Sequence, residues 1–234
     1  WVVLPAAMLA GETTNLTILA LARPRCIELP GAAPLRLGRI LAGLVPDEPE
    51  VHGLVALMEI QASRLPARIG PTGEPILLPD QDRRRWDRLL IRRGLGALRR
   101  AVELGAALGP YSVQAAIAAC HARARSAEET DWERIAALYD ALSRIAPSPV
   151  VELNRAVAVG RAYGPEAGLE VVDEAVEDGT LEDYHHLPAV RGDLLEQLGR
   201  LDAARKEFER AALLTRNEAE RRVLRKRAVG CVQE

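Results

Sequence analysis

Residues 77–94, LLPDQDRRRWDRLLIRRG, crowd six arginines against aspartate, glutamine and tryptophan. Such a mixture can hold a cation on carboxylates, seat a phosphate on guanidiniums, or open a helix. As a metal site, Asp80 and Asp82 lack histidine or further carboxylates nearby, and the adjacent arginines repel a cation. As a nucleic-acid patch, the stretch lacks the interleaved aromatic residues on which bases stack. The helix reading accounts for the remainder. Asp80 or Asp82 caps the first amides of a helix running from about Asp82 to Leu108. Its buried stripe is Trp86, Leu89, Leu90, Ala97 and Ala101, with Arg85, Arg88, Arg92 and Arg99 on another face.

Other reactive groups are sparse. His185 and His186 are adjacent, so on a helix they diverge by about 100° and do not share a metal. His52 and His121 lie in apolar helical stretches and read as core or boundary residues rather than ligands. Cys26, Cys120 and Cys231 are odd in number and widely spaced, which fits thiols in a reducing compartment better than a disulfide framework or zinc site. No G-x-S-x-G, P-loop or G-x-G-x-x-G occurs, and GLGAL at 94–98 falls inside a helix rather than after a strand. No paired carboxylates or nucleophile–base arrangement emerges. The expectation is a protein with no catalytic residues, cofactor or metal, and no enzyme.

The elements that position these residues are helices. Hydrophobic residues make up 48% and charged residues 27% of 234, ordinary for a globular chain with a substantial core. Alanine, leucine, arginine and glutamate dominate, there is one phenylalanine, and β-branched runs are few. A net charge of −2 exerts no global pull toward nucleic acid or anionic membrane. No apolar run reaches the ~18 residues of a membrane helix, and the opening WVVLPAAMLAG lacks the basic start of a signal peptide, so a cytoplasmic location is expected.

Periodicity predicts helices over 34–45, with Leu37, Ile40, Leu41 and Leu44 in register, and over 49–65, each closed by a proline. A Gly/Pro-rich loop precedes the arginine stretch. Further helices are predicted over 111–123, 130–145, 149–162, 165–177, 183–198, 201–214 and 217–229. Charge is uneven along them: 162–190 carries eight acids and no Lys or Arg, whereas 216–227 carries six bases against two acids.

This rhythm also repeats. In RGDLLEQLGRLDAARKEFERAALL, Gly192, Leu195, Gly199, Ala204, Phe208 and Ala211 sit at the offsets of a tetratricopeptide repeat. One unit earlier, Ala156, Gly168, Val172 and Ala175 occupy corresponding offsets, and a looser third unit has Tyr139 in the place of Phe208. The predicted fold is all-α, with antiparallel helix pairs stacked as a tetratricopeptide-like right-handed solenoid. Residues 34–234 form the repeat domain, its clearest units at 111–147, 149–184 and 185–218. Residues 1–33, with poor helical patterning, are an atypical N-terminal segment, read as a linker remnant. Trp86, Trp132, Tyr139, Leu195 and Phe208 should be largely buried. In such a stack the first helix of each pair lines a concave groove, which assigns partner binding to Asn154, Val157 and Arg161 on one helix and His186, Asp193 and Gln197 on the next. Asn154 stands out as an amide interrupting an apolar helix, suited either to hydrogen bonding inside the core or to holding a bound segment.

Six blocks carry a resemblance to a known family: RLGRILAGLVPDEPEVHGLVALMEIQASRLPAR, LLPDQDRRRWDRLLI, GPYSVQAAIAACHA, TDWERIAALYDAL, SPVVELNRAVAV and NEAERRVLRKR. In this order, over about residues 34–229, they resemble the C-terminal extension of one group of bacterial extracytoplasmic-function (ECF) sigma factors. These append a tetratricopeptide-type domain to the DNA-binding sigma core. The resemblance implies a regulatory and protein-interaction domain acting in transcription initiation. Its implied partners are proteins: the sigma core domains, RNA polymerase or a regulatory protein. The chain is read as lacking the sigma core, so DNA is reached only through that missing part, and no membrane is involved. The alternative is a free-standing peptide-binding adaptor unrelated to transcription.

Overall fold

A computed structural model describes residues 33–71, 76–105, 108–176 and 184–231. The segment read as atypical, 1–33, lies outside them save for its last residue. Among the described residues there are ten α-helices and no strand: α1 Ala33–Leu44, α2 Pro49–Ser63, α3 Arg88–Glu103, α4 Pro110–Arg123, α5 Trp132–Ile145, α6 Pro149–Tyr163, α7 Pro165–Val176, α8 His186–Gln197, α9 Leu201–Leu214 and α10 Glu218–Gly230. Three short 3-10 turns, Leu65–Ala67, Leu78–Asp80 and Arg83–Arg85, lie between α2 and α3. The protein is all-α, as its periodicity predicts.

Helix starts follow local chemistry. Pro49, Pro110 and Pro149 open α2, α4 and α6, where a missing N–H costs nothing. Asp131 accepts from Arg134 N–H, Ser148 from Val150 N–H, and Asn217 from the N–H groups of Ala219 and Glu220. At α4 the cap comes from another helix: Glu50 of α2 accepts from Tyr111 N (2.8 Å) and Ser112 N (3.1 Å). Capping, usually a local device, here becomes a tertiary one that pins α4 across α2.

The core is a chain of overlapping clusters rather than one ball. Ala56, Leu57 and Ile60 of α2 pack with Ile91 and Leu98 of α3 and Ala115 and Ala118 of α4. Val113, Ile117 and Cys120 on another side of α4 pack with Ile135, Tyr139 and Leu142 of α5 and Ala158 of α6. Leu153 and Val157 of α6 then meet Val171 and Val172 of α7 and Val190 and Leu194 of α8. Ala189 and Leu195 of α8 close on Phe208 and Ala211 of α9 and Leu224 and Ala228 of α10. Each cluster shares a helix with the next, so helix pairs stack in chain order and each contacts only its neighbours.

The arginine-rich stretch departs from its expected form. No helix begins at Asp80 or Asp82; Asp82 caps only the turn Arg83–Arg85, and α3 starts after Asp87, whose carboxylate accepts from Leu89 N (2.8 Å) and Leu90 N (3.1 Å). Moving the start shifts the buried stripe. Ile91, Gly94, Leu98 and Ala101 face the core, Leu90 and Ala97 are half-buried, and Leu89 is exposed. Gly94 is there because a Cβ at that position would come within 2.6 Å of Ile60 Cγ1, so α2 and α3 touch backbone to side chain. Arg85, Arg88, Arg92 and Arg99 are exposed, as expected of a solvated face. Trp86 is buried although it lies outside the helix, and Trp132 is only half-buried, while Tyr139, Leu195 and Phe208 are buried. In α1 the apolar stripe Leu37, Ile40, Leu41 and Leu44 is exposed, because α1 meets α2 through Gly38 and the Arg39–Glu59 ion pair (2.6 Å) instead.

Candidate functional site

The proposed groove helices α6 and α8 are drawn together by small residues. A Cβ on Gly168 of α7 would lie 2.9 Å from Ala156 O, from Gly160 Cα and from Leu194 Cδ2, so three helices meet where no side chain fits. On α8, a Cβ at Gly192 would stand 2.8 Å from the Phe208 ring. Gly164 (φ +108°) and Gly199 (φ +71°) form the reversals after α6 and α8, in backbone conformations that suit glycine.

This close packing decides where the expected groove residues go. Asn154 is buried; its Nδ2 donates to Val150 O on its own helix (3.0 Å), and its Oδ1 has no partner among the described residues. Val157 is buried in the cluster between α6 and α8. His186 is buried, its ring centroid 5.0 Å from that of Tyr184 and 3.9 Å from that of His185. The two histidine rings therefore lie against each other instead of diverging, because His185 precedes the helix that His186 begins. Burial, helped by His185, pushes the His186 pKa down to about 4.

Asp193, Arg161 and Gln197 do come together. The buried Asp193 carboxylate accepts from Arg227 Nη2 of α10 (2.6 Å) and Gln197 Nε2 (2.8 Å), and Arg161 Nη2 of α6 stands 3.6 Å away. Burial works to raise the pKa of Asp193, yet the positive charges around it, Arg227 and Arg161 among them, hold it below the ordinary carboxylate value. Arg227 also reaches Glu196 and lies over the Phe208 ring at 4.4 Å. This network ties α6, α8 and α10 into one wall. Arg161 and Gln197 keep exposed side chains, whereas Asn154, His186 and Asp193 are enclosed. What the wall offers a ligand is a cationic donor and an amide.

Among the described residues no ion pair joins an acid of 162–190 to a base of 216–227; each run meets other neighbours. His185 Nε2 lies 3.1 Å from Glu220 of α10. Arg191 reaches Asp173 of α7 at 3.0 Å. Residues 177–183, with half of the acids of that run, lie outside the described residues.

Two arginines that sequence reasoning passed over stand out beside His121, which is buried as its apolar helical stretch suggests. Arg64 and Arg83 are buried, and His121 is buried beside them with its Nε2 unpartnered among the described residues. Nothing local marks the two arginines, since an arginine after a helix or within RRR reads as solvated. Among the described residues no group of three or more His, Cys, Asp or Glu is placed to hold a metal ion, and no helix is long and apolar enough to cross a membrane.

Comparison with known proteins gives three likenesses. Residues 29–102 match a family of unknown function (DUF6596). An uncharacterized protein of Rhizobium meliloti (strain 1021) is 49% identical over 191 residues, 82% of this chain and 44% of the relative. The chain thus spans less than half the length of that protein. The crystal structure of TTC0263, a thermophilic TPR protein of Thermus thermophilus, aligns with a TM-score of 0.44 at 19% identity, covering 85% of this chain and 98% of the other.

Proposed function

We propose that this chain acts as the C-terminal regulatory and protein-interaction domain of an ECF-type RNA polymerase sigma factor. The observation that carries the reading is the ordered run of sequence blocks between residues 34 and 229 that resembles such extensions. Two further features support it. The Rhizobium meliloti relative is more than twice as long as the stretch it shares with this chain, which leaves room for a sigma core. The face of α1 bearing Leu37, Ile40 and Leu44 is open among the described residues, at the end of the helical stack where a sigma core would be joined. In this role the domain works in the cytoplasm, catalyses nothing, and binds protein, with Arg161 as the accessible donor of the groove, Gln197 as an accessible acceptor, and Asn154, His186 and Asp193 holding its shape.

The test is reconstitution of the full-length gene product with core RNA polymerase. Co-elution with polymerase and run-off transcription from a promoter are expected, both altered when residues 34–234 are deleted. A full-length product that neither binds polymerase nor supports initiation, yet captures peptides through the helical domain, would replace this reading with a free-standing adaptor.

A further inference from the structure

Where the stack turns from α2 and α3 into α4 and α5, the interior is positively charged. Arg64, directly after α2, is 2% exposed; its one partner among the described residues is the neutral Gln61 Oε1, and its Nε has none. Arg68 donates to the same Gln61 oxygen (2.9 Å). Arg83 gives Nη1 to His121 O (2.6 Å) and Ala124 O (2.9 Å) and Nη2 to Thr130 Oγ1 (3.3 Å). Arg64 and Arg83 both lie over the Trp86 ring, at 5.8 and 4.9 Å. No Asp or Glu among the described residues stands within 4.0 Å of any of the three guanidiniums.

Neutral carbonyls satisfy hydrogen-bond directions but do not cancel charge. The C-terminal end of α4 offsets part of Arg83's charge and does nothing evident for Arg64. A buried guanidinium without a counter-ion is strongly unfavourable unless an anion arrives. Burial first, then Arg68 and Arg83, push the Arg64 pKa down to about 9, and burial with Arg64 and Arg83 pushes His121 down to about 3. His121 is thus a neutral imidazole at ordinary pH.

A cleft of about 320 Å³ opens onto this cluster, at the lower end of small-molecule sites. Arg83, His121, Thr130 and Arg161 line it on the polar side; Leu78 and Trp132 form an apolar wall. His121 is 1% exposed with Nε2 unpartnered among the described residues, its ring edge-on to Trp132 at 5.3 Å. Glu128 also lines the cleft; its exposed side chain hydrogen-bonds Ser126 and, together with the exposed Glu129, acts on Arg83 only through space, beyond ion-pair distance.

We infer that this cleft is a binding site for a phosphate monoester, whose dianionic group takes Arg83, His121, Thr130 and Arg161 and whose organic body lies on Trp132 and Leu78. A dianion suits the site better than a single carboxylate because Arg64 adds its field from behind the cleft. Of the four, Arg83 feels the exposed Glu128 and Glu129 through space, and Arg161 has Asp193 at 3.6 Å, a long pairing that leaves donors for a ligand. The site does not depend on the sigma-factor reading and would give the helical stack a small-molecule input of its own.

Titration of the 234-residue chain with phenyl phosphate and with inorganic phosphate, at ionic strength held constant with sodium chloride, tests it. Phenyl phosphate should raise the thermal midpoint by about 3 °C or more at saturation and move the His121 ring resonances. Inorganic phosphate should do the same more weakly. Arg161→Gln should weaken binding about fivefold or more. Glu128→Gln, which removes a repelling carboxylate from the mouth without touching the core, should tighten it about threefold. Phosphates that stabilise no more than chloride, or that leave His121 unmoved, would overturn the site. Equal binding of the two phosphates would overturn the monoester assignment, and affinity unchanged in both variants would place any binding elsewhere.

Discussion

Phe208 shows how much one side chain decides here. It is fully buried, fills the space that Gly192 leaves on the facing helix, and has Arg227 over its ring. Phe208→Ala should therefore cost about 3–5 kcal/mol, read from denaturant unfolding; an unchanged midpoint would remove the packing role assigned to this pair. His186 makes a second residue-level prediction. Its folded pKa, about 4, lies below the ordinary 6.5, so between those values the unfolded chain binds more protons than the folded one. The stability tied to the neutral ring is complete above pH 6.5 and is lost progressively as pH falls toward 4. His121 acts in the same direction from about 3. Unfolding curves across this window should slope less steeply with pH in His186→Gln than in the parent chain; identical slopes would mean that His186 titrates normally.

At the scale of the element, the start of α3 is the informative case. Three aspartates, Asp80, Asp82 and Asp87, precede or begin the helical pattern, and each has the chemistry of a cap. Only Asp87 accepts two amides of the helix itself, because Trp86 must leave the helical path to be buried against α2 and α4. Asp87→Ala should cost about 1 kcal/mol by chemical denaturation, and Asp82→Ala, which loosens an exposed 3-10 turn, distinctly less. The reverse order would return the helix start to Asp82. The same element explains the arginines. Those on α3 face solvent, whereas Arg83, one turn earlier, is folded inward over Trp86.

For the whole molecule, overlapping clusters mean that every helix pair relies on its neighbours, so a lesion such as Phe208→Ala should unfold the C-terminal pairs before the α2–α4 end. Charge at this scale is balanced, −2 overall. The basic residues of α10 divide: Arg221 reaches Thr215 O and Arg227 is tied to Asp193, whereas Arg222, Arg225 and Lys226 are exposed. The chain on its own should show no promoter specificity. Mobility-shift titrations should detect at most a sequence-independent association that disappears with added salt, and a footprint over a −10 or −35 element would overturn this.

What the residues determine by themselves is local. Three- and four-residue spacing, prolines at first turns and glycines at reversals sufficed for the all-α character and most helix bounds; Leu201–Leu214 falls where its pattern puts it. The repeat spacing of Gly192 and Phe208 was also readable, since each implies the other across a helix pair. Burial of polar groups was not readable, because it depends on which helices arrive from far along the chain. Asn154 and His186 have the spacing of a groove face and are nonetheless buried. Arg64 and Arg83 resemble solvated arginines until α4 and α5 close over them. Periodicity reports which way a side chain points from its own helix; only tertiary packing decides whether water, another helix or a bound anion meets it there.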